Sequence, residues 1–360
     1  MFLPEASTFI IAEAGVNHNG NLDLAFRLIE VAAEAGVDAV KFQTFDAAQL
    51  VTRSAPKAIY QQASTGTNES QFEMLSALQL DYQSHYELQR FAKDKGLVFL
   101  STAFDVPSLT FLVNELELEI LKIPSGEITN GPLLLEYARS GRNIILSTGM
   151  STLDEVQTAL SVLAFGFTDG SAPSTALFSA AFESDDGRDA LIEHVVLLHC
   201  TTQYPAPIDS VNLRAMKSMH DYFGLEIGYS DHTKGWTVSC AAVALGARVL
   251  EKHFTLDRSL PGPDHAASLE PEELRQMVDS IRMVEAALGN GEKMPQEAEL
   301  ANRDVARKSL VATENIIKGQ AFSAENLSIK RPGIGRSPME YWSLFGNLSE
   351  SDYLTDEIID

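Results

Sequence analysis

Eight times along this chain a short apolar run closes on polar residues and gives way to a stretch of helical period. The clearest copy lies between residues 225 and 271. Two apolar runs, 225–228 and 247–250, read as buried strands, and 236–245 between them has a helical pattern. A strand–helix–strand unit forces its two strands parallel. The polar groups that follow them, Ser230, Asp231 and His232 on one and Glu251, Lys252 and His253 on the other, then emerge at the same edge. His232 and His253 are candidates to face one another there, and neutral imidazole suits a divalent transition metal. The loop 261–265 adds Asp264 and a third histidine, His265. Two histidines so far apart are, taken by themselves, better read as a cap and a core residue. The crowding of Ser, Asp, Glu and Lys on the same short segments is what favours a site.

The remaining copies place strands at 9–14, 37–42, 97–101, 119–123, 143–146 and 194–199. Eight such units in this length predict an α/β fold, a (β/α)8 TIM barrel, whose active site lies where the strands end. Polar residues recur at those ends: Glu13, Lys41, Thr102, Lys122, Ser147, Thr202, Ser230 and Glu251. The first strand is followed by GVNHNG rather than a GxGxxG turn, which argues against a doubly wound dinucleotide-binding sheet. Segment 46–78 is too long for an ordinary connection and reads as a functional loop over the site. Segment 165–193, rich in Ser, Ala, Gly and Asp, shows no sustained period and reads as an insertion on the opposite face. The barrel is expected to span 1–288, with 289–308 a charged linker.

From residue 309 onward, short strand-like runs separated by Gly and Asn turns predict a second, small domain, 309–360. A unit of that size has little core of its own and is expected to dock on something larger. Its Lys330-Arg331 turn reads either as a solvated basic turn or as a contact for an anion or acyl group.

Composition narrows the function. A net charge of −23 argues against nucleic acid as a partner, and no apolar run approaches membrane-spanning length. The N-terminus lacks a basic region ahead of its first strand, so a cytoplasmic location is expected. Two cysteines, Cys200 and Cys240, fit buried thiols in a reducing compartment.

Lys41 and Lys122 with the hydroxyls of Thr102, Ser125, Ser147 and Ser230 make a cradle for phosphate and carboxylate. A metal on His232 and His253 would polarise an aldehyde oxygen. Glu13 and Glu127 would position a hydroxyl or activate water. Together these groups fit condensation of a phosphorylated enol with an aldehyde.

The segments AEAGVNHNG, VKFQTF, APKAIYQ, FLSTAFD, KIPSGEITN, ILSTGM, LLHCTTQYPAP, GYSDHT, LEKHFTLD, GPDHAASLEP and ARKSLVA…KRPGIG cover nearly the whole chain. In that order they resemble the bacterial sialic acid (N-acetylneuraminate) synthase family, which includes the legionaminate and pseudaminate synthases. The C-terminal part resembles the antifreeze-like, or SAF, domain. The insertion at 165–193 is longer than the family pattern.

The resemblance implies condensation of phosphoenolpyruvate with an open-chain N-acylated mannosamine-type sugar, releasing phosphate. It implies that Lys41, Thr102, Lys122, Ser125, Ser147, Thr202 and Ser230 hold phosphoenolpyruvate. His232 and His253 would hold Mn2+ or a similar divalent ion, Mg2+ and Co2+ included, which binds the sugar aldehyde. Glu13, Gln43, Tyr204 and Asp264 would contact the sugar, with Glu127 the base for the attacking water. Arg331 would reach the sugar's acyl group from the small domain of a partner subunit, which implies a domain-swapped homodimer. HCTTQYPAP, SGEITN and GYSDHT lean toward the legionaminate synthases, which take a 2,4-diacetamido-6-deoxy sugar. KFQTF and KRPGIGRSPMEY suit N-acetylneuraminate synthases equally. Two other readings stay open: another phosphoenolpyruvate-condensing or metal-dependent aldolase barrel, and an ice- or carbohydrate-binding role for the tail.

Overall fold

The computed structural model describes residues 2–4, 7–58, 61–62 and 69–360. Ile59, Tyr60 and Asn68, part of the segment expected over the site, lie outside them. The chain divides into two compact units, Met1–Gly289 and Asn290–Asp360.

The first unit is a closed barrel of eight parallel strands in chain order. They are β1 (Phe9–Gly15), β2 (Ala39–Thr44), β3 (Val98–Ala103), β4 (Ile120–Ile123), β5 (Asn143–Ser147), β6 (Val195–Cys200), β7 (Glu226–Asp231) and β8 (Val249–His253). β1 pairs with both β2 and β8, which closes the ring.

The period of two along each strand sorts its side chains between two cores. Phe9, Ile11, Ala39, Leu100, Ile145, Val196, Leu198 and Val249 pack together inside the barrel. Ile10, Ala12, Val40, Phe42, Leu121, Ile144, Leu146, Leu197 and Leu250 pack outward against the helices. Continuing the inward series by two residues reaches Glu13, Lys41, Thr102, Ser147, Cys200 and Glu251. The apolar floor of the barrel therefore passes directly into a polar mouth.

Most strands extend further toward that mouth than their apolar runs suggest. Ser230 and Asp231 belong to β7, and Glu251, Lys252 and His253 belong to β8, instead of following them. Backbone pairing with neighbouring strands holds these polar residues extended although they have no apolar character of their own.

Region 165–193 is helical where the sequence showed no period. The helix Leu153–Thr168 runs into it, and Thr175–Glu183 and Asp185–His194 follow, capped by Ser174 and Ser184. The two added helices are short, and each buries few residues, Ala181 on one and Gly187 and Leu191 on the other. So few anchors leave little periodicity to read. Among the described residues no helix is long and apolar enough to cross a membrane.

In the second unit β9 (Ser309–Ala312) pairs antiparallel with β10 (Leu327–Lys330). Leu310, Ala312, Ile316, Phe322, Leu327, Leu344, Tyr353 and Ile359 form its core. Segment 289–308 is not simply a linker. It contains a helix, Glu297–Ala306, that accepts hydrogen bonds from Arg331 Nε at the Ala306 carbonyl (3.0 Å) and from Gly333 N at the Asp304 carbonyl (2.7 Å). None of its residues is buried, and so it shows no apolar period.

Candidate active site at the barrel mouth

One cavity of about 290 Å3 opens at the C-terminal ends of the strands. Glu13, Lys41, Gln43, Thr102, Lys122, Ser125, Glu127, Ser147, Thr202, Tyr204, Ser230, His232, His253 and Asp264 all line it. Lys330 and Arg331, also singled out from sequence, lie in the second unit, where both are exposed.

The anion-binding side is built on β2, β3, β4 and β5. Lys122 Nζ donates to Ser147 Oγ at 2.8 Å, and Lys41 Nζ donates to Thr102 Oγ1 at 3.2 Å. Gly149 N donates to Ser125 Oγ at 2.9 Å. A Cβ at Gly149 would lie 2.2 Å from Thr202 Oγ1 and 2.9 Å from Cys200 Sγ, so a side chain there would fill the cradle. Thr202 Oγ1 is buried with no hydrogen-bond partner among the described residues, an orphan that suits a ligand oxygen. Cys200, expected only as a buried thiol, is buried yet lines the cavity, 3.1 Å from Ser125 Oγ.

The two lysines are not bare. Lys41 Nζ lies 2.7 Å from Glu13 Oε2 and 3.5 Å from Glu251 Oε2, and Lys122 Nζ lies 3.6 Å from Glu251 Oε1. Glu251 also accepts from Ser230 Oγ at 2.9 Å. It was visible in the sequence as a polar strand end but was given no role, because only the three-dimensional register sets it between the two ammoniums. Burial acts to raise its pKa, but Lys122 and Lys41 outweigh burial and hold it well below the usual range. Glu13 goes the other way: burial outweighs Lys41 and pushes it up to about 7. Lys41 is raised, since Glu13 and Glu251 outweigh the burial that pulls it down. Lys122 is lowered by burial in spite of Glu251.

Opposite stand the histidines, their ring centroids 5.6 Å apart, with Tyr204 at 4.2 Å from His232 and 5.6 Å from His253. His232 Nδ1 lies 2.8 Å from the Thr201 carbonyl, which can only accept, so the proton is on Nδ1 and Nε2 keeps a lone pair. His253 Nδ1 is buried without a hydrogen-bond partner among the described residues. Burial pulls His232 down to about 4 and His253 well below the usual histidine range, so both rings are neutral at pH 7. Two neutral imidazoles fit a divalent ion, with His253 Nδ1 unpartnered among the described residues and His232 Nε2 3.3 Å from Ser230 Oγ. Among the described residues no third His, Cys, Asp or Glu completes a protein cage, so the other positions would fall to substrate and water. His265 does not join them. Its Nδ1 pairs with Thr255 Oγ1 (2.7 Å) and its Nε2 with Asn19 Oδ1 (3.2 Å), tying the loops after β8 and β1 together beside Asp264. Burial raises Asp264 to about 6.

The segment after β2 contributes a wall. The helix Gln71–Leu78 opens with a reciprocal Ser70–Glu73 cap, and Met74 and Leu78 pack with Val16 and Phe45. Gln71, Met74, Leu75 and Leu78, with Leu50 and Val51, line the cavity. Segment 46–78 was expected over the site, but these wall residues were not named from the sequence because nothing local marks which face of a short helix meets a ligand.

A family model described as the NeuB family matches residues 28–293. The N,N'-diacetyllegionaminic acid synthase of Campylobacter jejuni is 49% identical over 352 residues, 98% of each chain. That of Legionella pneumophila is 45% identical over 339 residues, 94% of this chain and 89% of the relative. The solved structure of an N-acetylneuraminic acid (sialic acid) synthetase from Leptospira borgpetersenii, in complex with citrate, matches with a TM-score of 0.66 at 34% identity. That match covers 82% of this chain and 90% of the other.

Proposed function

The chain belongs to the NeuB family of synthases, and we propose that it joins phosphoenolpyruvate to open-chain 2,4-diacetamido-2,4,6-trideoxymannose, giving N,N'-diacetyllegionaminic acid and phosphate. The observation that carries this reading is a single cavity holding a two-lysine anion cradle on one side and a neutral histidine pair on the other. The choice of sugar rests on the two legionaminic acid synthases among its relatives.

Lys41 and Lys122, with Thr102, Ser125, Ser147, Thr202 and Ser230, hold the phosphate and carboxylate of phosphoenolpyruvate. The incoming anion replaces part of the pairing that Glu13 and Glu251 give the lysines in its absence. Glu13, with a pKa near neutrality, carries a proton to the sugar or accepts one from it, steadied by Gln43 Nε2 at 3.4 Å from Oε1. Gln43, Tyr204 and Asp264 orient the sugar with its aldehyde toward the enol methylene carbon. A new carbon–carbon bond forms between those two atoms, and water adds at the former enol carbon. Glu127 takes the proton from that water; its Oε2 accepts from Asn130 Nδ2 at 2.7 Å, which fixes the carboxylate's direction. The carbon–oxygen bond to phosphate then breaks.

Synthases of this family are generally metal-dependent. His232 and His253 would hold the ion, and Mn2+ suits them with Mg2+ or Co2+ as substitutes. When bound, it supplies Lewis-acid polarisation to an aldehyde oxygen.

Arg331 contacts the sugar's acyl group across a dimer of exchanged small domains. Support comes from the second unit itself, whose small core leaves Met339, Trp342 and Ile334 largely exposed.

The test is phosphoenolpyruvate labelled with 18O at the bridging oxygen, turned over with the diacetamido sugar and Mn2+. The label is expected in the released phosphate. Label retained in the nonulosonic acid, or no turnover at all, would overturn the reading.

A further inference from the structure

We propose that the buried Lys252–Asp231 ion pair sets the spacing and orientation of His232 and His253, and through them the affinity of the site for its divalent ion. The inference rests on reading those histidines as metal ligands.

β7 and β8 run in register, with Ser230 opposite Glu251 and Asp231 opposite Lys252. The pairs alternate across the barrel wall. Ser230 and Glu251 face the cavity and are hydrogen-bonded at 2.9 Å. The next pair, Asp231 and Lys252, is wholly buried and lines no part of the cavity. One step further come His232 and His253, facing inward again. The ion pair therefore lies on the other face of the barrel wall from the two candidate ligands, one partner adjacent in sequence to each.

A charge pair removed from water is costly unless its partners are complete. Here they are nearly so. Lys252 Nζ lies 3.2 Å from Asp231 Oδ2 and donates to the Thr233 carbonyl at 2.5 Å. Asp231 Oδ1 accepts from Thr233 N and Thr233 Oγ1, both at 2.8 Å, and Oδ2 accepts from Ser239 Oγ at 2.6 Å. These bonds hold the residues on both sides of His232. Through Lys252 they tie that turn to the strand residue next to His253. The His232 carbonyl also accepts from Ala206 N at 2.8 Å, so the backbone at this position has little freedom left. An apolar pair would hold the barrel wall equally well by packing. Only directional bonds fix the turn after β7 against the end of β8, which is what two ligands sharing one ion require.

The test measures Mn2+ binding to the metal-stripped full chain, read from the loss of the free-ion electron paramagnetic resonance signal. Wild type is compared with Lys252→Met, the double variant Asp231→Asn/Lys252→Met and Lys252→Arg, with circular dichroism and melting temperature recorded for each. Replacing both charges leaves no unpaired ion in the wall, so the double variant is expected to fold. We expect it to bind Mn2+ about 10- to 100-fold more weakly than wild type. Phosphoenolpyruvate binding in the presence of a chelator should be unchanged, and Lys252→Arg should recover part of the loss. A folded double variant with wild-type Mn2+ affinity overturns the inference. So does a double variant that cannot fold, because the pair would then serve the barrel rather than the ion. If wild type itself binds no Mn2+, the histidine assignment fails first and the inference falls with it.

Discussion

The Lys41 ammonium lies 2.7 Å from the Glu13 carboxylate, both almost wholly buried at the barrel mouth. A lysine so placed is pre-oriented for an anion and already compensated without one. Replacing it by methionine removes one charge-assisted contact, worth about 1.5–3 kcal/mol. Lys41→Met should therefore raise the KM for phosphoenolpyruvate by about 10- to 100-fold, a range that follows from 1.4 kcal/mol per tenfold. Steady-state kinetics at saturating sugar would show it, and an unchanged KM would remove Lys41 from the cradle.

Glu251 has the opposite task, since it separates two ammoniums. Glu251→Gln leaves Lys41 and Lys122 buried without their shared counter-ion, and breaking a buried pair costs about 3–5 kcal/mol. The ligand-free variant should melt well below wild type, and phosphoenolpyruvate should restore more stability to it than to wild type. Equal ligand-induced shifts in the two proteins would show that Glu251 does not hold the lysines apart.

Acid should draw down the share of the metal-free protein's stability that its buried, neutral histidines supply. Burial, followed by the nearby His85, lowers His18 to about 4. Above pH 6.5 both folded and unfolded states keep this ring neutral. Below that, the unfolded chain takes a proton that the folded one refuses until about pH 4, so stability falls across that window. The share from His18 is about 3 kcal/mol. Denaturant midpoints of His18→Asn should lose about one proton's worth of slope between pH 6.5 and 4. A slope identical to wild type would contradict the burial argument.

The barrel was legible because each strand carries its own apolar run and each connection its own helical period. The same alternation exposed most of the mouth, since Lys41, Thr102, Ser147 and Glu251 each follow an apolar inward residue two positions earlier. The direction of a side chain was harder to read. Lys252 and Glu251 are neighbours in sequence with opposite fates, one in the wall and one in the cavity, and only the register of β7 on β8 separates them. Helix Glu297–Ala306 was missed because it buries nothing, while segment 46–78 was legible by its length as a covering loop, though not which side chains of Gln71–Leu78 turn to the cavity.

That wall depends on one close approach. Gly20 sits at φ +70°, and a Cβ there would lie 2.4 Å from the Ala77 carbonyl oxygen. Gly20→Ala must adopt a left-handed conformation, at about 1–2 kcal/mol, and also displace the helix. It should lower the melting temperature and raise the KM for the sugar more than that for phosphoenolpyruvate. Equal effects on both substrates would show that the helix does not border the sugar.

The most direct measurement is phosphate release from phosphoenolpyruvate with Mn2+, offering 2,4-diacetamido-2,4,6-trideoxymannose and N-acetylmannosamine side by side, with a chelator control. The account predicts release that depends on the metal, with kcat/KM higher for the diacetamido deoxy sugar. A preference for N-acetylmannosamine would contradict the sugar assignment, and release with neither sugar would contradict the condensation itself.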